Sequence, residues 1–257
     1  MNKDIDTVAG LDNVSLSYHE PLRETKAVEG LSLFVKRGEF LSVVGPSGCG
    51  KTSVLKLISG LCAPSRGSVT VLGGSPEKAR GRIGYMLQRD ELLEWRTIEK
   101  NALLGLEVKG LLNEDTRRRT RGMLSRYGLG DFMEHYPHEL SGGMRQKAAL
   151  VRTLAFEPEL MLLDEPFSAL DYQTRLTLED EVRDIIKGCG CTAVLVTHDI
   201  AEAVAMSDRI AVFSKRPARV KREFCVELEG SALERRGGEG FRRLFDAVWK
   251  ELKDDER

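Results

Sequence analysis

The chain has 257 residues, of which 41% are hydrophobic and 31% are charged, and its formal net charge is −1 at pH 7. A chain of this length can bury a large core, and we predict a single domain over residues 1–257. Because acidic and basic residues alternate along most of the chain, the overall charge distribution does not indicate a nucleic acid or an anionic lipid as partner.

The first twenty residues carry charges at Lys3, Asp4 and Asp6 and contain no uninterrupted apolar stretch. We therefore expect no export signal. No apolar run in the chain approaches the roughly 20 residues needed to cross a bilayer, so we expect any membrane role to depend on a partner.

The cysteines are odd in number and scattered, which favours reduced thiols and a cytoplasmic location over a disulfide framework. Cys189 and Cys191 form the one close pair, and we interpret them as turn and strand residues rather than metal ligands. The five cysteines are Cys49, Cys62, Cys189, Cys191 and Cys225.

Short apolar runs separated by helix-compatible sequence predict an α/β fold. FLSVV, LMLL and AVLV are apolar almost throughout, which is typical of parallel strands covered on both faces by helices. The predicted strands are 31–35, 40–45, 68–72, 160–164, 192–197 and 209–213.

The strand pattern stops over about residues 90–157, where a helical subdomain inserted in the α/β core is predicted. Its basic run, residues 115–121, is interpreted as a solvated helix face, the alternative being a contact with an acidic loop of a partner. A C-terminal amphipathic helix is predicted at about 240–253, and we expect its apolar face to dock on the chain's own domain rather than on another molecule.

A glycine-rich loop, GPSGCGKT from Gly45 to Thr52, lies between a predicted strand and a predicted helix. Its glycines let backbone N–H groups curl around phosphate oxygens, next to the positive end of the helix dipole. Lys51 is then placed to contact the β and γ phosphates, and the Thr52 hydroxyl to ligate Mg²⁺. The pattern predicts a phosphate-loop nucleotide site.

Two adjacent carboxylates, Asp164 and Glu165, follow the apolar strand LMLL, at the end of a strand where ligands bind in open α/β sheets. Since neighbouring strand residues point in opposite directions, we expect them to serve different tasks. Asp164 is predicted to hold Mg²⁺, and Glu165 to orient and deprotonate the attacking water.

The segment LSGGMRQ, from Leu140 to Gln146, opens a helical pattern. Ser141 is suited to cap that helix, and Gly142 and Gly143 leave its backbone open to close approach. Two glycines cost a helix about 1 kcal/mol each, so we infer that a phosphate group held elsewhere approaches this point.

The phosphate loop, LSGGMRQ and LMLLDEP, in this order, resemble the motifs of ABC transporter ATPases. The resemblance spans roughly residues 11–219. Within it Gln88 resembles the glutamine-loop residue, the segment 168–171 resembles the D-loop, and His198 resembles the switch histidine. The resemblance implies a phosphate-loop core with a mostly parallel sheet, an N-terminal antiparallel β portion and a helical insertion.

The resemblance also implies ATP hydrolysis in a head-to-tail dimer, with Mg²⁺ as cofactor. Catalysis is expected of Glu165, His198, Lys51 and Gln88, and Mg²⁺ binding of Thr52, Gln88 and Asp164. Contacts to the ATP held by the other copy are expected of Ser141, Gly142, Gly143, Gln146 and Asp171. The expected ATP-binding residues are Tyr18, which resembles the aromatic that stacks on adenine, and Gly45, Pro46, Ser47, Gly48, Cys49, Gly50, Lys51, Thr52 and Ser53.

Within that family, the segments 91–110 and 136–155 are similar to ATPase subunits of nitrate, sulfonate and taurine importers. Glu94 stands where that group usually has proline, so the backbone there is less restricted. The resemblance implies membrane permease subunits, a substrate-binding protein, and a peripheral position on the cytoplasmic face of the inner membrane.

The alternative function is a soluble ABC ATPase acting on nucleic acid or the ribosome. Such proteins carry long coiled-coil or zinc-bearing insertions, or two ATPase domains, whereas the insertion between Gln88 and Ser141 spans about fifty residues. A nucleic-acid partner is therefore not expected. A small-molecule kinase is disfavoured because LSGGMRQ would have no role in it.

Overall fold

A computed structural model describes residues 6–20, 23–168 and 170–253. Ala169, within the predicted segment 168–171, and both ends of the predicted domain 1–257 lie outside the described residues. The strands are β1 (Thr7–Glu20), β2 (Arg23–Lys36), β3 (Phe40–Val44), β4 (Arg66–Val71), β5 (Ile83–Met86), β6 (Leu160–Asp164), β7 (Thr192–Thr197), β8 (Arg209–Phe213) and β9 (Val220–Cys225).

Helices connect these strands and follow the last of them. They are α1 (Lys51–Ile58), α2 (Pro76–Ala79), α3 (Ile98–Val108), α4 (Glu114–Arg126), α5 (Gly142–Leu154), α6 (Tyr172–Gly188), α7 (Ile200–Met206), α8 (Ala232–Arg236) and α9 (Glu239–Lys253). Short 3₁₀ turns lie at Arg80–Arg82, Gly130–Phe132 and Pro137–Glu139.

Two sheets organise the chain. The larger has the strand order β5-β6-β7-β3-β8-β9, and all its pairs are parallel except β8 with β9. The smaller has the order β2-β1-β4 and is antiparallel. The predicted α/β class, with a mostly parallel sheet and an N-terminal antiparallel portion, is confirmed.

The central strands are buried on both faces, as their apolar sequences predict. In β6, Leu160 and Leu162 pack with the smaller sheet and α1, while Met161 and Leu163 pack with α5 and α6 on the opposite side. This alternation follows from the two-residue period of a strand.

Three strands were not among the predicted runs. β5 has only four residues, β9 is a polar edge strand with the sequence VKREFC, and β1 is interrupted by register shifts. β2 begins well before the predicted run at 31–35. A four-residue strand is too short to show an apolar period, and a polar or bulged strand shows only a weak one.

Residues 90–157 contain α3, α4 and α5 and no strand. The basic run on α4 is exposed, but its arginines are paired. Arg121 donates through two nitrogens to the buried carboxylate of Glu99, each at 2.8 Å, and Arg119 donates to Glu157 and to the Ala155 carbonyl. The run is therefore more than a solvated face, because it ties α4 to α3 and to the end of α5.

The C-terminal helix α9 packs its apolar face against α7 and β8. Val248 is fully buried, and Phe241, Leu244, Phe245 and Leu252 are partly buried around it. The docking on the chain's own core agrees with the expectation from the sequence pattern. Among the described residues, no helix is both long and apolar enough to cross a membrane.

Candidate functional site: a nucleotide site at the carboxyl edge of the sheet

Gln88, Asp164, Glu165, His198 and the glycine-rich loop lie at or just after the ends of four neighbouring parallel strands, β5, β6, β7 and β3. Val44 is in register with Thr197, and Asp164 is in register with Val196. The carboxyl ends of parallel strands meet at one edge of a sheet, where open α/β folds bind ligands. The fold thus brings the glycine-rich loop, both carboxylates, Gln88 and His198 to the same edge.

The glycine-rich loop curls between β3 and α1 with Gly48 at φ 69° and Gly50 at φ 125°. A Cβ at Gly50 would lie 2.6 Å from the Ala27 carbonyl oxygen, so only glycine fits there. The ammonium group of Lys51 is buried and donates to the Gly45 carbonyl at 2.7 Å and the Pro46 carbonyl at 3.0 Å. The lysine charge is therefore held inside the curl of the loop.

Thr52, at the start of α1, is joined to the end of β6. Its hydroxyl donates to Asp164 Oδ1 at 3.1 Å, while the Tyr85 hydroxyl donates to Asp164 Oδ2 at 3.4 Å. Burial raises the pKa of Asp164, and the hydrogen bond from Thr52 partly offsets that effect. Tyr85 was missed by the sequence analysis, because an aromatic residue on a short strand resembles an ordinary core residue.

Glu165 lies beside Gln88 and His198. Gln88 Nε2 donates to Glu165 Oε2 at 3.1 Å, and His198 Nδ1 lies 3.1 Å from the same oxygen. Strand β6 ends at Asp164, and Glu165 has a positive φ of 46°. The separation of the two carboxylates therefore comes from this backbone turn and not, as the sequence suggested, from alternation along the strand.

Ser141 caps the start of α5 as expected, accepting a hydrogen bond from the Met144 amide at 3.4 Å. A Cβ at Gly142 would meet nothing within 4 Å, so that backbone faces open space. The helix start borders a cavity of about 530 Å³ that includes no residue of the glycine-rich loop. Its lining residues are Tyr127, Gly128, Phe132, Ser141, Gly142, Gly143, Met144, Lys147, Leu170, Asp171 and Thr174.

Gln146 does not lie on this surface. Its side chain is buried, and its Nε2 donates to the Gln88 carbonyl at 3.4 Å. Gln146 follows Ser141 by five residues and therefore faces the chain interior, since residues three and four apart share a helix face and residues five apart do not. The structure places it as a link between α5 and the Gln88 segment.

The remaining predicted residues lie at the edges of the site. Asp171 caps α6 by accepting from the Thr174 amide at 3.0 Å, and this contact lowers the pKa of Asp171. The Tyr18 hydroxyl lies 3.1 Å from the Ser53 hydroxyl, and Tyr18 as a whole is 39% exposed beside the start of α1. An exposed ring at that point is free to stack on a planar group.

A further contact, which the sequence analysis missed, connects LSGGMRQ with the segment after Gln88. Arg145 donates to both Asp90 oxygens, at 2.9 and 3.0 Å, and to Glu94 Oε1 at 2.8 Å. Glu94, at the position where the resemblance leads one to expect proline, thus supplies a second carboxylate to this arginine. No local sequence pattern signals a pair 51 residues apart.

The sequence profile described as ABC transporter matches residues 28–168, which is more than half of the 257 residues. The chain belongs to the ABC transporter family. An uncharacterized ABC transporter ATP-binding protein of Bacillus subtilis (strain 168), YtlC, is 47% identical to it over 250 residues, covering 96% of each chain.

Two further relatives of this ABC family member have names that state what they import. The taurine import ATP-binding protein TauB of Roseobacter denitrificans is 36% identical over 219 residues, covering 85% of this chain and 82% of TauB. The nitrate import ATP-binding protein NrtD of Synechocystis sp. is 37% identical over 204 residues, covering 79% of this chain and 77% of NrtD.

Among solved structures, the fold resembles a dimeric post-hydrolysis structure of the ATP-binding cassette MJ0796 bound to ADP and Pi. The TM-score is 0.77 at 31% identity, and the match covers 85% of this chain and 99% of that one. Family membership and this match together identify the chain as an ABC ATPase with the predicted fold.

Two oxygen-bearing side chains at the site, Thr52 and Asp164, bear on the predicted Mg²⁺. No group of three or more His, Cys, Asp or Glu side chains that could hold a metal occurs in the described part of the chain. Mg²⁺ commonly takes one or two protein oxygens and completes its shell with phosphate oxygens and water. The Thr52 hydroxyl and the Asp164 carboxylate, which are in contact, fit that donor set.

Behind the site, Glu202 on α7 is buried and accepts from the Thr197 hydroxyl at 2.9 Å. Burial raises the pKa of Glu202 well above 4.5. The folded chain therefore holds a proton on Glu202 over a pH range in which the unfolded chain has released it. The contribution of this group to stability is complete below pH 4.5 and is lost as the pH rises through the folded-state pKa.

We therefore expect Glu202→Gln, which mimics the protonated carboxyl, to lose this part of the pH dependence. The gain in free energy of unfolding relative to wild type should be larger at pH 8 than at pH 5, measured by urea unfolding at both pH values. Glu229→Gln, at an exposed glutamate, serves as the matched control. An unchanged pH slope in Glu202→Gln would contradict this assignment.

Proposed function

We propose that the chain is the ATP-hydrolysing subunit of an ABC importer for a small organic or inorganic anion such as taurine, nitrate or a sulfonate. The observation that carries the proposal is the division of the nucleotide machinery between two surfaces. The loop with Lys51 lies at the sheet edge, whereas Ser141 and Gly142 border a cavity lined by no residue of that loop. A second copy, placed head to tail, would bring the two surfaces together.

In this proposal each ATP is bound by the loop of one copy and covered by the helix start of the other. The N–H groups at the start of α5 and the helix dipole attract a phosphate, and the open space at Gly142 admits it. Gly143 and Asp171 lie beside Gly142 along the same cavity. Tyr18 would stack on the adenine ring.

Hydrolysis needs a neutralised phosphate and an oriented water. Lys51 supplies charge to the β and γ phosphates, and Mg²⁺, held by Thr52, Asp164 and Gln88, would add Lewis-acid neutralisation of the phosphate oxygens. Glu165 orients the attacking water and accepts its proton, and His198 contacts the γ-phosphate. The shared contact of Gln88 and His198 with Glu165 Oε2 supports this grouping.

Gln88 also begins the segment that reaches the helical part of the chain. Its carbonyl accepts from Gln146, and Asp90 and Glu94 pair with Arg145 at the start of α5. We infer that membrane permease subunits act on the site through this segment, with the chain bound peripherally at the cytoplasmic face of the inner membrane. A substrate-binding protein would deliver the anion, which touches the permease rather than this chain.

Purification of the tagged full-length chain from solubilised membranes of its own cells tests the importer assignment. We expect recovery of integral membrane subunits and ATP-dependent phosphate release without any phosphorylated small molecule. The same purification with Trp95→Asp serves as the comparison, because Trp95 is 76% exposed beside Glu94. We expect the charge at this position to reduce the amount of integral membrane subunits recovered. Recovery with ribosomes or DNA instead would favour the alternative class of soluble ABC ATPases.

A further inference from the structure

One side chain, Arg175, joins the segment before α6 to the segment before α7. Arg175 lies near the start of α6, and its Nη2 donates to the Leu170 carbonyl at 3.1 Å. Its Nη1 donates to Asp199 Oδ2 at 3.3 Å. The guanidinium group thus bridges the residue before Asp171 and the residue after His198.

On the α7 side, Asp199 uses its two carboxylate oxygens separately. Oδ1 accepts from the Ala201 amide at 2.8 Å and the Glu202 amide at 3.2 Å, which caps α7. Oδ2 is left to pair with Arg175, and the Asp199 amide donates to the Thr197 hydroxyl at 2.9 Å. Because these contacts fix the backbone on both sides of His198, the position of Asp199 determines where the histidine is presented.

On the α6 side, the contact is to a backbone carbonyl in the segment that lines the cavity next to Ser141. Leu170 is 6% exposed and Asp171 follows it as the cap of α6. Both residues line the cavity. A shift of this segment would therefore move the carbonyl that Arg175 holds, and with it the guanidinium that holds Asp199.

The chemistry of the bridge favours arginine. A guanidinium group presents several N–H donors in a fixed planar fork, so that a carbonyl and a carboxylate on different elements are bound at once. A lysine ammonium also has more than one donor, but it is a point charge on a flexible stem and does not hold its donors in a fixed planar geometry. Hydrogen bonds to charged groups are also stronger than neutral ones, which favours a defined position for Asp199.

We propose that Arg175 is a positioning residue, which holds the backbone of His198 in register with the cavity-lining segment at Leu170 and Asp171. This inference rests on the proposed function, in which Leu170 and Asp171 lie at the surface between two copies and His198 acts on the γ-phosphate. Arg175 would then link contact with the second copy to the placement of the histidine.

The test compares steady-state ATP hydrolysis by wild type, Arg175→Ala, His198→Ala and the double variant. We expect Arg175→Ala to lower kcat by about ten- to a hundredfold, the loss typical of a misplaced catalytic group, with KM changed less than about twofold. In the His198→Ala background the same substitution should cost less than about threefold, because residues acting as a unit are not additive. Arg175→Lys should recover part of the loss.

Arg119→Ala is the matched control. Arg119 donates to one carboxylate, Glu157, at 2.5 Å and to one backbone carbonyl, Ala155, at 3.0 Å, on α4 rather than at the site. Its loss should change stability without changing kcat. A wild-type kcat in Arg175→Ala would overturn the proposal. So would a double variant whose loss of kcat equals the product of the losses in the two single variants.

A second measurement separates this proposal from the proposed function. Amide hydrogen exchange in the nucleotide-free chain should become faster at residues 197–202 and 170–172 in Arg175→Ala, with Arg175→Lys as the substitute if the alanine variant does not fold. Unchanged exchange in both segments would overturn the positioning role, even in an active enzyme. Faster exchange in these segments supports the link through Arg175 whether or not the wild-type chain hydrolyses ATP. Absence of ATP hydrolysis by the wild-type chain would instead count against the proposed function.

Discussion

Glu165→Gln is expected to bind ATP as wild type does and to lose turnover by about a hundredfold or more, the usual effect of removing a general base. The substitution keeps the size of the side chain and an oxygen that can accept from Gln88 Nε2, which donates to Glu165 at 3.1 Å. It removes the carboxylate that would take a proton from water. Phosphate release and nucleotide titration measure the two effects separately.

The same variant tests the two-surface arrangement. Saturated with Mg-ATP, Glu165→Gln should elute as a dimer, since the nucleotide that joins the copies is not consumed. Adding Gly142→Asp should return it to a monomer, because a carboxylate at the start of α5 repels a phosphate, although a Cβ there has nothing within 4 Å to disturb the chain's own fold. Near-wild-type turnover, or a strictly monomeric Glu165→Gln, would contradict the proposed roles.

Lys51→Ala is expected to weaken ATP affinity by about ten- to a hundredfold, the range for losing hydrogen bonds to a charged group. The buried ammonium group donates to the Gly45 and Pro46 carbonyls at 2.7 and 3.0 Å. Removing it therefore loosens the curl of the loop in addition to removing a charge from the phosphates. Titration with ATP and with adenosine separates these effects, because adenosine has no phosphates to lose contact with.

Lys56→Ala is the matched control for that experiment, since Lys56 lies one turn further along α1 and is exposed. The affinity of Lys56→Ala for ATP should equal that of wild type. Unchanged ATP affinity in Lys51→Ala would remove the lysine from the proposed binding residues. A loss of adenosine affinity as large as the loss of ATP affinity would show a general collapse of the loop rather than a phosphate contact.

Much of the fold was predictable because its central strands are apolar on both faces. The predicted strands 160–164, 192–197 and 209–213 coincide with β6, β7 and β8. The strands that escaped prediction, β1, β5 and β9, are bulged, short or polar, so that each left a weak apolar pattern. The N-terminal cap at Ser141 was predictable because capping depends on residues adjacent in sequence.

The candidate residues were found from motifs, but their contacts were not. Glu165 contacts Gln88 and His198 because β5, β6 and β7 are neighbouring parallel strands, whose order brings three segments distant in sequence to one edge of the sheet. Arg145 meets Asp90 and Glu94, and Arg175 meets Asp199, across similar gaps in sequence. Such pairs depend on the packing of whole elements, which no local pattern contains.

The sequence by itself determined the α/β class, the family, and the residue types that could bind a phosphate and activate water, because these depend on local spacing and on chemical identity. Only the tertiary structure decided that Gln146 faces the interior and that the positive φ of Glu165 directs its side chain toward Gln88 and His198. It also decided that Ser141 borders a cavity that Lys51 and its loop do not line. The physical reason is that side-chain direction is set by the backbone turn and by the packed neighbours, which come from elsewhere in the chain.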